Sequence, residues 1–168
     1  MCINLNFKKM KKTGIVLSCM VSFFMSAQTH DLVKHNGEKM AVNLIKQETN
    51  LVYFSMPNST EVEKISKYAV ASLTNKSNGE VATISNRINC EDKANFNEVV
   101  FLEQSQTIGL KKGESINSFF GVTKGQADYD VKKMKKRRLQ EKAASLKSPF
   151  VVIVSEKPDE TKAVLYQY

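Results

Sequence analysis

In the first half of the chain, short runs of alternating apolar and polar positions are separated by turn residues. Asp31-Leu32-Val33-Lys34-His35 reads as a strand, and Asn36-Gly37 follows, a pair that tolerates the positive φ angles of a tight hairpin. Met40, Val42 and Leu44 then alternate with Ala41, Asn43 and Ile45, the pattern of a strand with one mostly apolar face. Glu48-Thr49-Asn50 turns the chain into Leu51-Val52-Tyr53-Phe54, which Met56-Pro57-Asn58 closes. A fourth run covers Ile65 to Leu73, Asn75 to Gly79 turns it, and Val81-Ala82-Thr83-Ile84 returns. Five short strands in about 55 residues predict a small β-barrel over residues 28–85, since closure removes exposed edges.

Residues 86–97 are polar, carry Cys90, and read as a linker. The pattern then changes. Val99–Leu102, Thr107–Leu110 and Ile116–Phe120 read as strands, and Gly121 to Gly125 breaks them. Asp128 to Leu146 holds no Gly or Pro and is rich in Lys, Arg, Leu, Gln, Glu and Ala, which predicts a helix. Asp128 and Asp130 sit near its start, where acids suit the helix dipole. Pro149 ends it. Phe150 to Val154 is continuously apolar, the mark of a strand covered on both faces, and Ala163-Val164-Leu165-Tyr166 follows. The expected architecture is α+β: a five-stranded barrel at 28–85 followed by a strand–helix–strand module at 98–168.

The N-terminus changes what the charge means. Lys8-Lys9-Met10-Lys11-Lys12 precedes an apolar run from Gly14 to Met25 that ends in Ser26-Ala27-Gln28. A cationic start, a short apolar core and a small exit residue make residues 1–27 a secretory signal peptide, with Met10 an alternative start. The run is short for a membrane span. The alternative is a retained anchor, including a lipid anchor on Cys19, although bulky Leu17 and the apolar residues beyond Cys19 argue against lipidation. The 168 residues carry a net charge of +8; cleavage after Ala27 removes four lysines and no acid, leaving +4. It also removes Cys2 and Cys19, so Cys90 cannot close an internal disulfide.

Two resemblances follow from these residues. Asp31–Gly37, Leu51-Val52-Tyr53 and Ile65-Ser66-Lys67 look like small exported β modules of Bacteroidota-type bacteria, similar to SH3 or Sm-like barrels. The Ser26-Ala27-Gln28 exit is similar to signal peptides of that group. The resemblance covers residues 30–85 and brings no catalytic residues. Val99–Leu102, Ala143-Ala144-Ser145-Leu146 and Tyr166 resemble small envelope domains that end in a Tyr-rich strand; the single Cys90 departs from their disulfide-bonded stress-sensor members.

The conspicuous chemistry is Lys132-Lys133-Met134-Lys135-Lys136-Arg137-Arg138. At about 100° per residue the six bases do not fall on one side of a helix, while Val131, Met134, Leu139, Ala143 and Leu146 occupy a broad apolar half. A solvated helix whose long stems cover the core is the plain reading. The functional reading makes Lys132, Lys133, Lys135, Lys136, Arg137 and Arg138 contacts for an anionic lipid or glycan surface. Nucleic acid is excluded as a partner by export and by aromatics that do not interleave with the bases in sequence.

Only His30 and His35 could shuttle protons; both lie at the mature N-terminus, where order is poorest. No hydrolase elbow, zincin, Cys-x-x-Cys or phosphate-loop motif occurs, so no catalytic, cofactor or metal residue is nominated. A minor idea uses Gln28-Thr29-His30, whose amine, amides and imidazole could bind Cu(II) in a square plane; a histidine in a frayed terminus is the plainer reading. The expectation is an exported, non-enzymatic binding or structural protein of the bacterial envelope, soluble in the periplasm, associated with the outer membrane, or secreted. Its partner would be an envelope protein or an anionic lipid or glycan surface. The alternatives are an enzyme using Glu98, Glu103 and Glu156 at the module junction, and a lipoprotein anchored through Cys19.

Overall fold

The computed structural model describes residues 29–119 and 128–168. The proposed signal peptide with Cys2 and Cys19, and the break from Gly121 to Gly125, lie outside these residues. Six strands form the first sheet: β1 (His30–Lys34), β2 (Lys39–Gln47), β3 (Leu51–Ser55), β4 (Glu63–Ser66), β5 (Val70–Asn75) and β6 (Val81–Thr83). Their order is β4-β3-β2-β1-β5-β6, antiparallel throughout. Gly37 sits at φ +91° in the β1–β2 turn, a conformation that suits a residue without Cβ.

The expected five-stranded barrel is not there, because the sheet is open. The run from Ile65 to Leu73 is not one strand. The Ser66 hydroxyl accepts the Tyr68 N–H at 3.3 Å and starts a 3-10 turn over Lys67–Ala69. The chain thereby leaves β4 at one edge and re-enters as β5 beside β1. Strand β6 then adds outboard of β5, three residues long and fully exposed. Edges β4 and β6 therefore stay apart, and shortness is what blunts β6.

The expected strand–helix–strand module is also replaced. A four-stranded sheet, β7 (Val100–Phe101), β8 (Lys111–Phe119), β9 (Phe150–Glu156) and β10 (Glu160–Gln167), is ordered β7-β9-β10-β8. Only β7–β9 is parallel. Helix α1 (Asp128–Ser145) lies between β8 and β9 in sequence and is the one long helix among the described residues. The protein is thus mostly β. Thr107–Leu110, expected as a strand, belongs to a tight turn. There Gln104–Thr107 is 3-10, capped reciprocally by Glu103 and Gln106, and Gly109 takes φ +87°.

Side-chain alternation along the central hairpin explains how both halves are held. Val151, Ile153, Ala163 and Leu165 face α1, where Leu139, Ala143 and Ala144 pack with Val99 and Cys90. Phe150, Val152, Val164 and Tyr166 face the opposite side with Leu102. Tyr68 of the first half packs there too, and Leu110 touches both this cluster and the core of the first sheet. That first core gathers Leu32, Val42, Val52, Phe54, Ile65, Val70 and Leu73 from five strands. Residues 86–97 are packed as well: Cys90 is buried among the α1 residues and Ile88 reaches the second cluster.

Candidate functional site

Helix α1 meets the 3-10 turn Lys93–Glu98 along a seam. Toward its C-terminal end Ala143 and Ala144 let the seam close over Val99 and Cys90. Toward its N-terminal end longer side chains replace the alanines and the seam opens into a groove of about 710 Å³. Its helical wall carries Tyr129, Lys132, Lys133, Lys136, Arg137 and Gln140. Steps of three and one put these residues on one stripe of a helix. Phe96, Asn97 and Phe101 form the facing wall, and Glu156 closes one end.

Four cations thus share the groove with one acid. Two of them lie on aromatic rings: Lys136 Nζ is 5.7 Å from the centroid of Phe101, and Arg137 Cζ is 5.2 Å from that of Phe96. The Arg137 Nε also donates to Glu141 at 3.0 Å, with Lys93 on the other carboxylate oxygen at 3.6 Å. The hydrogen bond from Arg137 is the main reason the Glu141 carboxyl stays below the usual carboxylate range. Tyr129 is 75% exposed, a large ring held in water at the mouth of the groove.

The six bases named from sequence are divided by the fold. Lys132, Lys133, Lys136 and Arg137 line the groove. Lys135 does not: it is 5% exposed, and its ammonium donates to the Lys157 carbonyl at 2.8 Å, tying α1 to the β9–β10 turn. Arg138 turns to the other side and donates to the Phe119 carbonyl at 3.1 Å. Lys142 reaches the Asn117 carbonyl at 3.4 Å, two residues along the same β8 edge. Met134 and Leu146, expected on the apolar half, are exposed, while Lys135 occupies that face.

A second hollow adjoins the first and shares Phe101 and Lys136 with it. It holds about 490 Å³ between the β7 exit and β9, over Val152, Ile153 and Val154, with Glu103 and Gln104 at its rim. Sequence reasoning missed Tyr129 and Gln140, although their spacing from the bases was legible. Phe96 and Phe101 could not be found that way, because only the fold brings them to α1.

His35 is not in a frayed terminus. Its ring lies 4.7 Å from that of Tyr168, and Nε2 is 2.8 Å from the Ser85 hydroxyl. Ser85 donates its proton to the Val70 carbonyl at 2.8 Å, so Nε2 must be the donor toward Ser85. That polarity is the reverse of what a base activating a serine requires. Burial, then the Arg87 charge, lowers the His35 pKa, so the neutral ring is favoured. The Arg87 guanidinium lies 5.0 Å from the Tyr168 ring centroid and donates to the His35 carbonyl.

Of the three residues of the copper idea, Gln28 lies outside the described residues, while the Thr29 amide donates to the Val42 carbonyl at 3.2 Å and His30 Nδ1 lies 2.8 Å from the Thr29 hydroxyl. Glu98, Glu103 and Glu156, the junction carboxylates, are all exposed; Glu103 lines one hollow and Glu156 the other. Among the described residues there is no group of three metal-ligating side chains, and no helix is long and apolar enough to cross a membrane. Comparison of the chain with protein-family models, with curated proteins and with solved structures found no match.

Proposed function

We propose that this chain is an exported, non-enzymatic binding protein of a bacterial envelope that engages an anionic partner through the groove along α1. One observation carries the reading. Four cations are gathered with Phe96, Phe101 and Tyr129 in one open groove, while the neighbouring Lys135 and Arg138 are engaged by main-chain carbonyls. Such a groove offers charge attraction, apolar area and exposed ring faces together, with the field reaching about 8 Å at physiological salt. The bonding polarity at His35 and the exposure of the three junction carboxylates favour binding over catalysis.

The test is titration with three polyanions of different chemistry: polyglutamate, polygalacturonate and phosphatidylglycerol vesicles, at low and moderate salt. Each exposed contact is worth about 0.2–1 kcal/mol, so the K132Q/K133Q/K136Q variant should lose about tenfold in affinity for whichever binds. A variant that binds as tightly as the parent would overturn the reading, as would binding indifferent to salt.

A further inference from the structure

The groove continues past the cations onto a strand edge. Strand β7 pairs with β9 only at Phe150 and Val151. The last rung is the Leu102 N–H donating to the Val151 carbonyl at 2.8 Å, after which the chain turns away through Gln104–Thr107. Strand β9 runs on to Glu156, paired with β10 on its other side. Among the described residues no strand lies beside it there. Pro149 and Val151 offer their carbonyls toward β7, so by alternation Ile153 presents its main chain to the same side. Val154 is the extra residue of a bulge, since Ile153 pairs with Ala163 but Ser155 with Lys162. The open ladder is therefore short, and Val154 itself stands 55% exposed.

We propose that the partner is an acidic peptide segment in extended conformation. It would continue the place of β7 along β9 at Ile153, with its carboxylates on Lys132, Lys133 and Lys136. This rests on the reading of the groove as an anion-binding surface and names the class of ligand. Three features select a peptide. The cations supply charge complementarity. Phe101, Ile153 and the exposed Val154 supply an apolar floor that suits apolar side chains of a strand. The main chain at Ile153 supplies hydrogen-bonding groups that only another backbone matches well. Neither a lipid surface nor an acidic sugar chain uses all three, and a rung this short leaves most of the affinity to charge and apolar contact.

The experiment uses a labelled ten-residue peptide of alternating Glu and Val, followed by fluorescence anisotropy with the full chain. Two controls carry N-methyl groups on alternate residues, in either register, which block one edge of the peptide strand while keeping its charge. The expected result is binding of the parent peptide, loss of tenfold or more in at least one methylated register, and a similar loss with K132Q/K133Q/K136Q. Equal affinity for the parent and both methylated peptides would overturn strand pairing while leaving the anion-binding groove in place. Binding of polygalacturonate or phosphatidylglycerol vesicles without binding of the peptide would overturn the peptide proposal alone. Binding of no anion would overturn both.

Discussion

Gly109→Ala should be among the most damaging single-methyl additions to this chain. Gly109 lies in the turn that joins the two halves, at φ +87°. An added Cβ would meet Ile65 Cγ1 at 2.6 Å, Ile65 Cδ1 at 2.8 Å and Ala69 Cβ at 3.4 Å. Left-handed backbone costs an L-residue about 1–2 kcal/mol. Crowding a packed site adds about 1–3 kcal/mol, because Ile65 is buried within the first core and has little room to yield. The loss of about 2–5 kcal/mol is a large part of the ~5–15 kcal/mol that holds a domain together. Gly37→Ala is the matched control, at φ +91° with nothing within 4 Å of its added Cβ. Both substitutions carry a similar backbone term and the same entropy change in the unfolded chain. Their difference in urea unfolding, about 1–3 kcal/mol, isolates the contact with Ile65 and Ala69. Introducing Ile65→Ala should remove most of that difference. If Gly109→Ala and Gly37→Ala lower the midpoint equally, the turn does not pack on the first core as described.

Other consequences can be checked as directly. Lys135→Ala should destabilise by about 1–3 kcal/mol through lost packing and its bond to the Lys157 carbonyl, yet leave polyanion affinity unchanged; Lys132→Ala should do the reverse. Denaturation and binding measured on the same two variants decide it. His35 has a folded pKa below its ordinary 6.5, through burial and then Arg87, so below pH 6.5 the unfolded chain takes a proton that the folded chain resists. Stability should therefore fall as pH drops from 6.5 through the folded pKa, and His35→Gln should flatten that slope in urea melts taken across pH. Burial, then Glu98, raises the Cys90 pKa; a disulfide-exchange reagent should label it slowly in the native protein and fast in urea. Tyr168→Phe leaves the Ile88 N–H without its acceptor and should cost about 1–2 kcal/mol by calorimetry.

Local structure was legible where one pattern sufficed. Asn36-Gly37 marks its hairpin, and the run from Phe150 to Val154, expected to be covered on both faces, is so covered as far as Val152, while Val154 is exposed. What could not be read was where a run of strand-like composition turns. Ser66 breaks an apolar run with one side-chain hydrogen bond, and that break separates an open sheet from the expected barrel. Likewise Thr107–Leu110 has strand composition, but the capping pair Glu103 and Gln106 and the φ of Gly109 make it a turn. The site was half legible. Its cations were plain in the sequence, and the stripe joining them to Tyr129 and Gln140 could have been found by counting. Which bases face solvent could not. Lys135 is withdrawn by a carbonyl 22 residues away, and the aromatic wall arrives from the stretch read as linker and the strand after it.

The place of β10 bears on how the molecule is made. It is the last strand in sequence, yet it lies between β9 and β8 and contributes to both clusters of the second half. During synthesis β8 is therefore made before β10, its one partner strand among the described residues, while α1 and β9 are produced. In that interval its backbone is open on both sides, the condition under which strands join the wrong neighbour. Arg138 and Lys142 come off the ribosome before β10 and bond carbonyls of β8 at Phe119 and Asn117. Two side chains of the basic helix can thus reach one edge of β8 before β10 has been made.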